Sequence, residues 1–443
     1  MVQLFGATML PFVNIRIHYQ TRGRSDLRYK AILCMAAPLL YAAATSSFVN
    51  PSIRPIWATR AQEKQKREEF GSSLKRLKWD EREQRAVETK KGNERSDSDA
   101  VIRMETSLAV FEILALDKKG RAVSGLSKDD FIVTEDGAPQ EVASLSHGDG
   151  STVPRSIILI IDYSVSQLPF IESSVAAAKT LVDRLKPNDR MAIVTDDVTL
   201  LAPFTRDKLK LKDGLDSLRK RTKSKRFGRS EQYSALLAAL KELTVSAERP
   251  IIIFQTDGDE LSSLRNAAIS PSGGEVSAMP HDSLKEYSLE DIYTAAEKTR
   301  APIYAVIPGV RFAGVPPEEH VERARRLFGK LFPLQQELGW WGRQLTPTFE
   351  NYLRSRAQTA LRQQLALAGI ANLTGGWAEY LEEPGQAAGI YERIFAGIER
   401  RYILTYYPIN TRRDGKLRRV EIKTRNHPEY TILGKKSYYA DGQ

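Results

Sequence analysis

Cysteine is almost absent from this chain of 443 residues: Cys34 stands alone, so no disulfide framework staples it and a multi-cysteine zinc site is excluded. Histidine is nearly as scarce. The five histidines fall at positions 18, 147, 281, 320 and 427, none in the His-Glu-x-x-His spacing that sets two imidazoles on one helix face for zinc. A glycine-rich loop ending in Gly-Lys-Ser or Gly-Lys-Thr is missing, which argues against a nucleotide-driven motor. So is the Gly-x-Ser-x-Gly elbow that presents a serine nucleophile. No self-similar unit of roughly 20 to 50 residues recurs, so a repeat architecture is not indicated.

What remains has a globular composition, 42% apolar and 27% charged, in a chain long enough for two or three domains. The net charge of +11 favours anionic surfaces. Much of the excess sits in the N-terminal segment and in one loop rather than along a repeated face, so no nucleic-acid partner is expected. Residues 31–44 form an apolar stretch behind Arg24, Arg28 and Lys30 that is too short to cross a bilayer as a helix. It has the form of a signal-peptide core, with Ala42, Ala43 and Ala44 as a cleavage site. The expected location is secreted or periplasmic, with no stable membrane span after cleavage; an uncleaved anchor is the competing reading. The long basic lead before the stretch is compatible with a true start downstream of Met1. Residues 45–103 read as a charged linker, since residues 61–99 are dominated by Lys, Arg, Glu, Gln and Ser and cannot bury enough surface to order themselves.

Residues 104–150 carry short apolar runs and turn signals, including Asp136-Gly137 after residues 131–134, a hairpin dipeptide. Such a β unit is too small to close its own core. Over residues 155–398 continuous apolar runs (157–161, 191–195, 251–255, 303–307) alternate with amphipathic segments, the pattern of a parallel sheet covered on both faces. Ile171, Val175, Ala178, Leu181, Val182 and Leu185 recur at helical spacing. Residues 312–355, with Pro316, Pro317, Trp340 and Trp341, interrupt the alternation as an insertion. Residues 399–443 turn to β again and are expected to join the N-terminal β unit. The fold class is therefore α/β, a doubly wound, mostly parallel sheet flanked by a smaller β domain built from N- and C-terminal strands.

Asp162-Tyr163-Ser164-Val165-Ser166 follows the first apolar run directly and so lies at a strand's carboxyl end, where open α/β sheets bind their ligands. Asp257 follows the run at 251–255 in the same way. Carboxylate and hydroxyl oxygens of this kind suit Mg²⁺, Mn²⁺ or Ca²⁺. Taken singly, the first motif reads more readily as a helix N-cap, and Thr256-Asp257-Gly258 as a turn.

Taken in order, these two segments and the intervening residues 228–236 resemble the metal-ion-dependent adhesion site of von Willebrand factor A domains. The resemblance implies a divalent cation held by Asp162, Ser164, Ser166, Ser230 and Asp257, with an acidic group of a protein partner completing its coordination. Ser230 stands where the family usually has Thr, and Val165 replaces a common Gly. Asp117, Lys119-Gly120, Asp130-Phe131 and Glu135-Asp136-Gly137, with Leu373-Thr374-Gly375-Gly376 and residues 402–408 and 414–419, look like the VWFA-related proteins described from Acidobacteria; the match spans roughly residues 104–440. That likeness implies architecture more than biology; with the signal-like stretch, the adhesion-site resemblance and the missing enzymatic motifs, the expected function is an exported protein-binding or adhesion module that is not an enzyme and has no catalytic residues. The alternatives are a metal-dependent hydrolase using the same carboxylates and a scaffold with a vestigial site. Seven basic residues between Arg219 and Arg229 form either a steering rim or a solvated loop. Asp259 and Glu260 add acid nearby, Asp196-Asp197 read as a plain turn or as groups behind the ligands, and Trp340-Trp341 as packing or as an exposed anchor.

Overall fold

The apolar run at 157–161 becomes the fully buried strand β7 (Arg155–Ile161), and its alternation decides the layering. Ile157, Leu159 and Ile161 point into one core while Ile158 and Ile160 point into another, so both faces of the sheet must be covered. In this computed structural model, which describes residues 69–89, 108–147, 153–266, 284–337 and 349–440, the elements run in order as follows. The first are β1 (Leu77–Asp80), β2 (Arg85–Glu88), β3 (Ala109–Leu116), β4 (Phe131–Glu135), β5 (Ala138–Gln140), β6 (Val142–His147) and β7 (Arg155–Ile161). Then come α1 (Ile171–Asp183), β8 (Arg190–Thr195), β9 (Thr199–Thr205), α2 (Lys208–Lys223), α3 (Gln232–Glu242), β10 (Arg249–Gln255), α4 (Leu289–Lys298) and β11 (Ile303–Pro308). The last are α5 (His320–Glu337), α6 (Phe349–Leu373), β12 (Ala378–Leu381), α7 (Ala387–Glu399), β13 (Tyr402–Tyr406), β14 (Leu417–Thr424), β15 (Thr431–Leu433) and β16 (Ser437–Tyr439).

The central sheet has the order β12-β11-β10-β7-β8-β9, parallel throughout except for the antiparallel edge strand β9. The apolar stripes of α1, α2 and α7 pack on one face through Val175, Leu181, Leu215 and Ile394. Those of α3, α4 and α6 pack on the other through Leu236, Ile292 and Ile370. Caps fix where helices start: the Asp207 carboxylate accepts the Leu209 and Lys210 amides at α2, and Ser288 with Asp291 forms a capping box at α4.

The two ends of the chain share a β domain of two four-stranded sheets, β15-β3-β13-β6 and β16-β14-β4-β5. In each sheet an N-terminal strand pairs with one more than two hundred residues later, β3 with β13 and β4 with β14. The turn between β4 and β5 is built on Asp136 (φ 49°) and Gly137 (φ 85°), the two positive dihedrals a two-residue hairpin needs.

Three details differ from expectation. Within the expected linker, residues 69–89 are ordered: β1 and β2 form a hairpin whose Leu77 is buried beside the core of α3 and α4, and the Glu242 carboxylate accepts the Gly71 and Ser73 amides. Composition missed it because a partner surface supplies the burial that the segment lacks on its own. Second, β9 escaped notice, since its Pro203 and mixed exposure give no continuous apolar run; an edge strand tolerates both. Third, α6 starts at Phe349 and runs through the expected end of the insertion, where Leu353 and Ala357 bury against Phe312 and Ala324. The expected signal stretch, Cys34, most of the linker and Trp340-Trp341 lie outside the described residues. Among the described residues no helix is long and apolar enough to cross a membrane.

Candidate metal centre at the sheet's switch point

From β7 the chain passes through α1 to β8 on one side, and it later returns through α3 to β10 on the other. The reversal opens a crevice at the carboxyl ends of β7 and β10, the place where doubly wound sheets bind ligands. Register finishes the job. Ile161 pairs with Gln255 and with Thr195, so Asp162, Thr256-Asp257 and Asp196 leave the sheet side by side.

Asp162 is fully buried. One of its carboxylate oxygens accepts the Ser164 amide at 2.9 Å; the other accepts the Gln232 side-chain amide and the Thr256 hydroxyl, each at 2.9 Å. Ser164 and Ser166 hydroxyl oxygens lie 3.1 Å apart. Gln167 donates to Asp257 at 2.9 Å and to Ser166 at 3.2 Å, which ties the first loop to the second. Ser166, Ser230, Asp257 and Asp259 are half-buried, so the cluster has a closed floor at Asp162 and an open side toward solvent.

Ser230 reaches the rim by another device. It holds the left-handed conformation at φ 58°, and Asp196 bridges the loops by accepting the Tyr163 amide at 3.1 Å and the Ser230 amide at 2.8 Å. Gly228 leaves the room, because a Cβ there would sit 2.0 Å from both Asp196 oxygens. The Ser230 hydroxyl and the Gln232 amide both act on Asp259, Gln232 donating to it at 2.5 Å. Asp162, Ser164, Ser166 and Asp257 thus gather tightly, with Ser230 on the adjoining loop beside Asp259.

Electrostatically the cluster is overloaded with acid. Burial first, then the neighbouring Asp259 charge, pushes Asp162 up to about 6. Burial and the Asp162 charge push Asp196 up to about 8, while burial, Asp259 and Asp162 drive Asp257 upward as well. The Gln167 carbonyl oxygen is buried without a hydrogen-bond partner. Among the described residues, no three His, Cys, Asp or Glu side chains are gathered to chelate a metal by themselves. The set is instead two carboxylates supplemented by hydroxyls, with no nitrogen or sulfur ligand. Its chemistry fits a hard divalent cation, which would relieve the uncompensated negative charge.

Sequence reasoning did not find Gln167 or Gln232, because a lone glutamine carries no motif. Asp196 reads from sequence as a plain turn or as a group behind the ligands, and the third dimension puts it between two loops. Glu260 proves structural: its carboxylate accepts the Tyr233 and Ser234 amides at the start of α3.

Strand order and rim define the class: a doubly wound, mostly parallel α/β sheet flanked by a smaller β domain. No family model matches the chain, and no curated protein does. Among solved structures, the three N-terminal domains of the type V pili tip protein Mfa5 from Porphyromonas gingivalis are 18% identical, covering 34% of this chain and 26% of that one at a TM-score of 0.21. The present chain thus spans about a quarter of that structure's length. The vWF domain of the same pili tip protein is 12% identical, covering 56% and 96% at a TM-score of 0.33. Manganese-loaded Plasmodium vivax TRAP protein is 12% identical, covering 71% and 100% at a TM-score of 0.28. Likenesses this remote decide neither ligand nor partner.

Proposed function

We propose that this protein is an exported, non-enzymatic binding module in which a divalent cation, Mg²⁺ by preference and Mn²⁺ or Ca²⁺ otherwise, engages an Asp or Glu of a protein partner. Asp162 and Asp257 would hold the cation with Ser164 and Ser166, and Ser230 would join from the neighbouring loop. The bound cation supplies a Lewis-acidic point for a partner's carboxylate. The chain's own residues do the rest: Gln167 and Gln232 orient the carboxylates, and Asp196 fixes the two loops against each other. The observation that carries this reading is the convergence of Asp162 and Asp257 from adjacent strands, two acids that burial and neighbouring carboxylates push upward together. Arg221, 5.9 Å over the Tyr163 ring, and the exposed Lys225 and Arg226 stand near the rim, where they would raise the encounter rate with an acidic partner.

Capture from envelope extract with and without chelator tests the proposal. Binding is expected in Mg²⁺, lost in EDTA, and lost in Asp162→Ala; Ser166→Ala, at a half-exposed position, is expected to weaken it about tenfold with the fold intact. A partner retained in chelator refutes the mechanism. Turnover of a phosphate ester with Mg²⁺ or Mn²⁺ would replace it with the hydrolase reading.

A further inference from the structure

At the amino-terminal end of the central sheet's strands, opposite the candidate metal site, where β10 and β11 begin, a cleft of about 940 Å³ separates the α/β body from the β domain. Six cations line it, Arg249, Lys298, Arg300, Arg412, Arg413 and Lys435, against two carboxylates, Glu112 and Glu248. Several of these are already engaged. Arg249 is paired with Glu112 at 2.6 Å, Lys435 donates to the Glu297 and Thr299 carbonyls, and Lys298 sits 5.5 Å over the Tyr439 ring. Arg300 and Arg412 are exposed, and among the described residues their side chains meet no carboxylate. Beside them the cleft wall is apolar and open: Leu108, Val110 and Val153 are 42%, 56% and 46% exposed. Isolated exposed apolar side chains are ordinary, but three of them sharing a cleft with two unpaired guanidinium groups make a surface of definite chemistry.

We infer that this cleft is a second binding site, independent of the metal centre, for an extended acidic peptide segment of a partner protein in which carboxylates alternate with apolar side chains. Charge complementarity selects the occupant. Arg300 and Arg412 offer bidentate donors to carboxylates, while Leu108, Val110 and Val153 accept the intervening apolar side chains. A cleft between two domains of this volume has the dimensions of an ordinary ligand site.

The probe is a fluorescein-labelled octapeptide of alternating Glu and Leu, titrated into the full chain by anisotropy. The expected result is saturable binding that EDTA and Asp162→Ala leave unchanged. The double variant Arg300→Glu/Arg412→Glu is expected to weaken it about tenfold or more at an unchanged melting temperature, since both side chains are exposed, and added salt is expected to weaken it too. Loss of binding in EDTA would assign the peptide to the metal centre and overturn the inference. So would equal affinity in the double variant, absence of binding to the wild-type chain, or tighter binding of a single-stranded oligonucleotide than of the peptide.

Discussion

At the scale of single residues, the candidate metal centre depends on a side chain that is not there. Gly228 passes so close to Asp196 that a methyl group would displace the carboxylate, and that carboxylate holds Tyr163 and Ser230 in place. Gly228→Ala is therefore expected to lower Mg²⁺ affinity about tenfold to a hundredfold, as losses behind a metal's ligands do, with helix content preserved. Calorimetric titration with Mg²⁺ checks it; wild-type affinity in the variant would show that Asp196 does not set the loops. The carboxylates and serines of this site were legible in order along the chain. The pair Gly228 and Asp196 was not, because thirty-odd residues separate them and only the adjacency of β7 and β8 brings them together.

At the scale of elements, helix and strand ends are tied by groups whose charge is costly. Lys435, in the connection between β15 and β16, donates to the carbonyls of Glu297 at 2.5 Å and Thr299 at 2.7 Å, the last acceptors of α4. Burial holds its ammonium down at about 8, although the Glu297 charge opposes the shift. An unfolded lysine titrates near 10.4, so between these values the unfolded chain binds more protons than the folded one. Stability from this group consequently rises with pH through that window. We expect a gain of about 1–2 kcal/mol between pH 7.5 and 9.5, a few degrees in melting temperature, and its disappearance in Lys435→Met. A flat profile in the wild type would remove the buried charge from the account. Strands β7, β8, β10 and β11 were visible as apolar runs because burial on both faces demands unbroken hydrophobicity. The edge strand β9 was not, since one free edge relaxes that demand.

At the scale of the whole molecule, one arginine joins the two halves of the architecture. Arg401 is wholly buried; it donates to the Tyr304 hydroxyl at 2.8 Å, to the Gly375 carbonyl, and to the Glu112 carbonyl of β3 at 2.8 Å. Arg401→Ala is expected to cost about 3–5 kcal/mol, the loss of several hydrogen bonds to a charged group together with the cavity. Arg401→Lys is expected to recover little, because an ammonium cannot reproduce the planar fork. Urea denaturation reads both; a loss below about 1 kcal/mol in the Ala variant would show that the β domain is held by other contacts.

By itself the sequence determined the α/β class, the sharing of the β domain between the chain's ends, and the order of the oxygen-bearing loops. Each of these is written in local periodicity or in a short motif that survives without neighbours. Only the tertiary structure decided that residues 69–89 are ordered, that Asp196, Gln167 and Gln232 tie together the loops carrying Asp162, Ser230 and Asp257, and that a basic, apolar-walled cleft opens at the amino end of the sheet's strands. The physical reason is common to all three: each depends on strands and helices meeting across long stretches of chain, and a linear pattern records what a residue prefers, not which surface will be there to meet it.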